Sequence, residues 1–157
     1  MKQVILFAWI AVVAASCGGD TPQNSGEKFN PSKEKTAEGN PSYDPKRGTG
    51  KFTDVAISPT LDAAKAANGE KVYGVKCSSC HKLTGEKLVG PGWSGVTTKR
   101  TASWILNFMT NTDEMLDKDP EAQAQLEICL VRMPNQNLSD DDAFALYEFM
   151  RQNDGVK

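Results

Sequence analysis

Apolar residues fall along this chain in three blocks of different character. An unbroken apolar run occupies Val4 to Ala15. From Gly18 to Ile57, Pro, Gly, Ser, Asn, Thr and alternating charges dominate, and only Phe29, Tyr43, Phe52, Val55 and Ile57 supply bulk. From Ser58 to Asn153 apolar positions recur at helical spacing, with no alternating apolar–polar run of strand length. The pattern predicts an all-α domain of three to five helices over 58–157, preceded by a leader over 1–16 and a linker over 17–57. A stretch so poor in apolar bulk cannot bury enough surface to offset its ordering entropy, so the linker reads as a flexible tether. Forty residues of random coil span about 35 Å.

Within the domain, Thr60 is a good N-cap and predicts a first helix through Lys76. Gly69 and Tyr73 share one face of it. A glycine inside a helix costs about 1 kcal/mol, and a close helix crossing is the use expected for Gly69. Gly85, Gly90, Pro91, Gly92 and Gly95 predict an extended loop. Ser103 is placed to cap a helix from Trp104 to Thr110, whose apolar face is Trp104, Ile105, Phe108 and Met109. Asp119-Pro120-Glu121 is a strong helix start, with a capping acid, proline in the first turn and an acid against the macrodipole. That helix is expected to reach Leu130. Ser139 and Asp142 open the last helix, and Phe144, Leu146, Tyr147, Phe149 and Met150 give it the bulk to cross the first. Asp140, Asp141 and Asp142 are explained by helix-terminus electrostatics and need no metal.

Composition and charge change this picture in two places. The 157 residues carry a formal net charge of −2, with no basic run or aromatic-interleaved patch, which argues against a nucleic-acid partner. Instead Lys65, Lys71, Lys76, Lys82, Lys87, Lys99 and Arg100 gather in the first half of the domain, and Asp113, Glu114, Asp117, Asp119 and Glu121 follow. At the front, Lys2 and the run to Ala15 form an export signal, too short to span a membrane as a helix, for which about 20 apolar residues are needed. Its end, Ala14-Ala15-Ser16-Cys17 followed by Gly18-Gly19, resembles a bacterial lipobox, with Ala14 where Leu or Val is usual. The resemblance implies acylation of Cys17 and a protein held on the periplasmic side of a bacterial membrane. The competing reading is an ordinary signal peptide that leaves Cys17 as a stray thiol.

The chemistry concentrates in Cys77-Ser78-Ser79-Cys80-His81. Two thiols three positions apart, with histidine directly after the second, suit attachment of one c-type haem: the thiols reach its two vinyl groups and the imidazole faces the iron. A dithiol redox pair would expect a strand–helix–strand context, and a zinc site would want four ligands. His81 is the only histidine of the chain, and only Cys17 and Cys129 remain among the cysteines. Cys129, in an apolar stretch, reads as a small buried hydrophobe. The Pro91 carbonyl is a plausible acceptor for the second ring nitrogen of His81. Arg100 and the indole N–H of Trp104 are candidates to meet a haem propionate. With no second histidine, methionine is the usual distal ligand. Met133 precedes Pro134 in the irregular stretch Arg132 to Asn137 and is the first candidate; Met109 and Met115, on or beside helices, are the alternatives.

Residues 65–152 resemble a class I monohaem cytochrome c. The resemblance is carried by Gly69-Glu70-Lys71-Val72-Tyr73, Cys77 to His81, Gly90-Pro91, Met133-Pro134, and Leu138-Ser139 leading into the last helix. It implies His81 as proximal ligand, Pro91 as its carbonyl partner, Met133 as distal ligand, and Gly69 and Tyr73 packed on Leu146 and Phe149. The acidic segment Asn111 to Gln125 departs from the family's pattern. Histidine and methionine together leave the iron no site for a substrate, so the expected function is one-electron transfer between redox proteins, not catalysis. Lipid-anchored proteins of this kind resemble carriers between membrane respiratory complexes and a terminal oxidase or periplasmic reductase, nitrous oxide reductase included. Lysines about the haem edge would favour an acidic partner, with an on-rate that falls as salt rises. A haem sensor or peroxidase with a labile distal ligand is the alternative.

Overall fold

The computed structural model describes residues 43–157. The leader 1–16, Cys17 and the linker up to residue 42 lie outside the described residues. Among the described residues there are six helices: α1 (Ala63–Lys76), α2 (Val96–Lys99), α3 (Ala102–Thr110), α4 (Thr112–Lys118), α5 (Pro120–Cys129) and α6 (Asp140–Asn153). No strand is formed there, and a single isolated bridge pairs His81 with Lys87. The count exceeds the three to five expected because α2 and α4 are short turns of helix that periodicity over a long window cannot register.

The frame is the crossing of α1 on α6. Gly69 is buried, and a Cβ built on it would stand 2.0 Å from the Ala145 carbonyl oxygen and 2.8 Å from the Phe149 Cβ. The two backbones therefore touch where only glycine fits. One turn later Tyr73 packs on Phe149, ring centroids 5.4 Å apart, and on Trp93, 5.0 Å apart. Leu146 of α6 is fully buried in the core beside Leu106 and Met115. The capping chemistry is local and follows the sequence at α5 and α6, where the side chains of Asp119 and Ser139 accept from Ala122 and Asp142. It differs elsewhere. Asp62, not Thr60, caps α1, accepting from Lys65 at 3.0 Å. Thr101, not Ser103, caps α3, because the Ser103 hydroxyl donates instead to the Thr53 carbonyl at 2.9 Å.

That last bond points to the main correction. Residues 43–57, assigned to the flexible tether, lie as a strap against α3 and α4. The buried Asn107 side chain donates to the carbonyls of Arg47 (2.9 Å) and Phe52 (2.8 Å) and accepts from the Phe52 N–H at 2.9 Å. Asn111 donates to the Thr49 carbonyl at 3.2 Å, and Met115 Sδ accepts the Thr49 N–H at 3.0 Å. Phe52 meets Phe144 edge-on at 5.6 Å. Gly48 and Gly50 have positive φ, and a Cβ on either would overlap Met115 or Asn107. Composition misjudges this segment because it is ordered mainly by amides and carbonyls satisfied across the fold, which apolar content does not report.

At Gly69 two effects oppose each other. Helix propensity alone would make Gly69→Ala stabilising by about 1 kcal/mol. The contact with the α6 backbone decides the sign, and the substitution is expected to destabilise by about 2 kcal/mol or more, as overpacking does. A chemical denaturation midpoint at or above that of the parent protein would contradict the close crossing.

Candidate functional site

Cys77 to His81 continue directly from α1. The Cys77 and Ser78 N–H groups still donate to Tyr73, at 3.0 Å each, and those of Cys80 (3.0 Å) and His81 (2.9 Å) donate to Cys77. The five residues thus form one tight turn whose position is set by the α1–α6 crossing. His81 Nδ1 lies 2.8 Å from the Pro91 carbonyl oxygen. A carbonyl only accepts, so Nδ1 carries the proton and Nε2 keeps its lone pair, the arrangement a metal-binding imidazole needs. Burial pushes the imidazole below its ordinary pKa against the opposing effect of the Pro91 bond, which favours the neutral ligand form.

The ring is held from several sides. Trp93, itself buried, stands 5.5 Å from it, and the Tyr73 hydroxyl donates to the His81 carbonyl at 2.7 Å. A Cβ on Gly90 would lie 2.5 Å from His81 Cε1, so the loop backbone abuts the imidazole itself. The loop is fixed at its near end by Gly90 N–H to the Cys80 carbonyl (2.9 Å) and Trp93 N–H to the Lys82 carbonyl (2.9 Å). At its far end Asp154, past α6, accepts from the Gly95 N–H (2.6 Å), the Thr97 N–H (2.9 Å) and the Thr97 hydroxyl (2.6 Å), while Asn153 donates to the Leu83 carbonyl at 2.9 Å. Sequence reasoning missed Trp93, Asn153 and Asp154. An aromatic inside a glycine-rich loop was a usable sign of the first; nothing local marked the other two.

Met133 is half-buried in the irregular segment 131–139. That segment leaves α5 through Leu130, which takes a left-handed conformation at φ 60°. Two lysines join it and the end of α5 to the histidine segment. Lys76, the residue before Cys77, donates to the Gln136 carbonyl at 2.9 Å, and Lys87, bridged to His81, donates to the Ile128 carbonyl at 2.8 Å. Arg132 reaches back to α4, 2.8 Å from Asp117 and 3.5 Å from Asp113. The acidic segment is therefore what grips the residue next to Met133. Met109 and Met150 are buried in the core, and the fully buried Met115 sulfur accepts the Thr49 N–H.

Trp104 and Arg100, expected to meet a propionate, have partners within the protein. The Trp104 indole N–H donates to Asp119 Oδ2 at 2.8 Å, and Arg100 pairs with Glu121 at 2.6 Å while lying 4.8 Å over the Trp104 ring. Both side chains thus meet carboxylates at the start of α5, Asp119 and Glu121. Several of the clustered basic residues are also engaged within the domain: Lys76 and Lys87 as above, Lys82 with Glu86 and Lys65 with Asp62. Cys129 is half-buried at the end of α5. Burial pushes the Cys77 thiol up to about 11, which disfavours a free thiolate there at neutral pH. An oriented neutral histidine, two adjacent thiols and exposed apolar side chains (Leu88, Val89, Ile128, Leu130, Val131) on the segments that Lys87 joins fit a large apolar macrocycle carrying iron.

An all-α fold built about such a segment defines a protein of covalently bound haem. Residues 66–154, more than half of the chain, match the family model for cytochrome c. The chain belongs to the cytochrome c family, whose members carry covalently bound haem c and transfer electrons with it. It is similar to the cytochrome c of Rhodothermus marinus, with 30% identity over 67% of this chain and 90% of that one, at a TM-score of 0.64. An engineered form of that protein, Rma TDE, matches at the same identity and coverage with a TM-score of 0.64, and the same form bound to a carbene intermediate at 0.61.

The contact of Gly90 with the imidazole yields a direct prediction. Gly90→Ala displaces the His81 ring and is expected to lower stability by about 1–3 kcal/mol, as overpacking does, and to reduce the yield of covalently haem-loaded protein. Parent-like values in a denaturant melt and in haem-stained yield would contradict it.

Proposed function

We propose that this protein is a one-electron carrier in which Cys77 and Cys80 hold a single haem c by thioether bonds and His81 and Met133 ligate its iron from opposite faces. The observation that carries the reading is the convergence of the two segments. Lys76 and Lys87 tie the stretch leading to and containing Met133 to the turn of His81, while the other methionine sulfurs among the described residues belong to the core. When bound, the haem supplies a ferric–ferrous couple whose potential methionine raises, with no coordination position left for a substrate. The chain's own part is to hold and to exclude. Pro91 orients the imidazole, Trp93 packs beside it, Tyr73 holds the His81 carbonyl, and Gly90 lets the loop close on the ring. The partners in this reading are a redox protein donor and acceptor: membrane respiratory complexes on one side and a terminal oxidase or periplasmic reductase, such as nitrous oxide reductase, on the other. Acylated Cys17 would keep the protein on the periplasmic side of the membrane, with small molecules and nucleic acid outside its range of partners.

A haem sensor or peroxidase with a labile distal ligand is the second reading. It is favoured by the partial exposure of Met133 in a segment without regular structure, and by the carbene-bound state of the engineered relative. One experiment separates the two. For the carrier, Met133→Ala lowers the midpoint potential on the order of 0.1 V, against the roughly 0.8 V that axial ligands span among haem proteins, and the reduced variant binds carbon monoxide far faster than the parent. Equal rates, with an unchanged potential and ferric spectrum, remove Met133 as ligand. A parent protein that already binds carbon monoxide rapidly supports the sensor or peroxidase.

A further inference from the structure

Asp119 is 1% exposed, yet its carboxylate joins three segments far apart in the chain. Oδ1 accepts the Ala122 N–H at 2.8 Å and so begins α5. Oδ2 accepts the Trp104 indole N–H of α3 at 2.8 Å and also the Tyr43 hydroxyl at the head of the strap. Burial and the bond to Asp119 hold the Tyr43 hydroxyl above its ordinary pKa, so it stays a donor at neutral pH. Tyr43 lies outside residues 66–154 that match the family model. The strap then crosses α4 through Thr49, whose N–H meets the Met115 sulfur and whose carbonyl meets Asn111.

From α4 and α5 the path to Met133 is short. Asp113 and Asp117 of α4 hold Arg132, and the last turn of α5 is held by Lys87. Those ion pairs are exposed, and such pairs contribute little by themselves. The platform on which they stand is fixed from its buried side, by the three donors that converge on Asp119. We propose that Tyr43 and Asp119 are positioning residues for distal ligation: they latch the strap to α4 and α5 and thereby hold the Arg132–Met133 segment against exchange of the axial ligand. The proposal rests on Met133 as that ligand.

Tyr43→Phe removes one donor and leaves the carboxylate its other two, so the full-length holoprotein stays folded. Asp119→Asn keeps an N-cap and an acceptor and serves as the second variant. In each, carbon monoxide is expected to bind the reduced protein faster, about tenfold in Tyr43→Phe, the consequence of losing one hydrogen bond to a charged group. Amide exchange over residues 131–139 is expected to accelerate by a similar factor, with exchange in α1 and α6 unchanged. If both variants lower the unfolding midpoint while carbon monoxide binding and exchange at 131–139 stay as in the parent, the latch is structural only and the proposal fails. Met133→Ala in parallel distinguishes the premise. If it leaves carbon monoxide binding unaltered, the ligand assignment falls and the proposal with it, whether or not exchange at 131–139 has responded to the latch variants.

Discussion

Gly69 lies where two helix backbones come into contact, and the placing of the histidine follows from that contact. A side chain there would meet the Ala145 carbonyl, so the separation and rotation of α1 against α6 are set by the absence of one. The turn of Cys77 to His81 grows from the last residues of α1 without a break. The opposite wall, the loop from Leu83 to Thr97, is held by Asn153 and Asp154 at the end of α6. Both partners in the bond between His81 and Pro91 are therefore positioned by the same helix pair.

The other half of the domain is built on a different principle. Its long-range ties are polar, and they divide by burial. Arg132 with Asp113 and Asp117 makes exposed pairs of the kind that contributes little by itself. Asn107 and Asp119 are buried and meet several donors or acceptors each, so a missing partner there would leave an unsatisfied group at a cost of about 1–3 kcal/mol. The buried pair of Glu148 and Arg151 belongs to the same class, since Arg151 also donates to the Ser58 carbonyl at 2.7 Å and pins the approach to α1. In the proposed latch, support for the Arg132–Met133 segment comes from the buried Asp119 carboxylate more than from the exposed salt bridges.

What was legible in the sequence was local. Cys77, Cys80 and His81 declare their chemistry by spacing within one turn. Asp119 with Pro120, and Ser139, announce helix starts because a cap and the N–H groups it serves lie within three residues of each other. Gly69 was legible as a likeness of use, since a glycine that weakens a helix calls for a close neighbour. Caps became ambiguous where two candidates stood side by side. Thr60 yielded to Asp62, and Ser103 to Thr101, whose neighbour's hydroxyl had been claimed by a carbonyl of the strap.

By itself, then, the sequence determined an all-α domain, two cysteines and a histidine spaced within one turn, and the fact that this histidine is the only one in the chain. Only the tertiary structure decided that residues 43–57 lie against α3 and α4, that Trp104 and Arg100 meet Asp119 and Glu121, and that the acids of α4 grip Arg132 beside Met133. The physical reason is the range of the interactions. Covalent spacing and capping act over a few residues and leave a pattern in the chain. The partners of Asn107, Trp104, Asp119 and Arg132 lie tens of residues away, or on another helix, and their polarity looks the same whether they face solvent or one another.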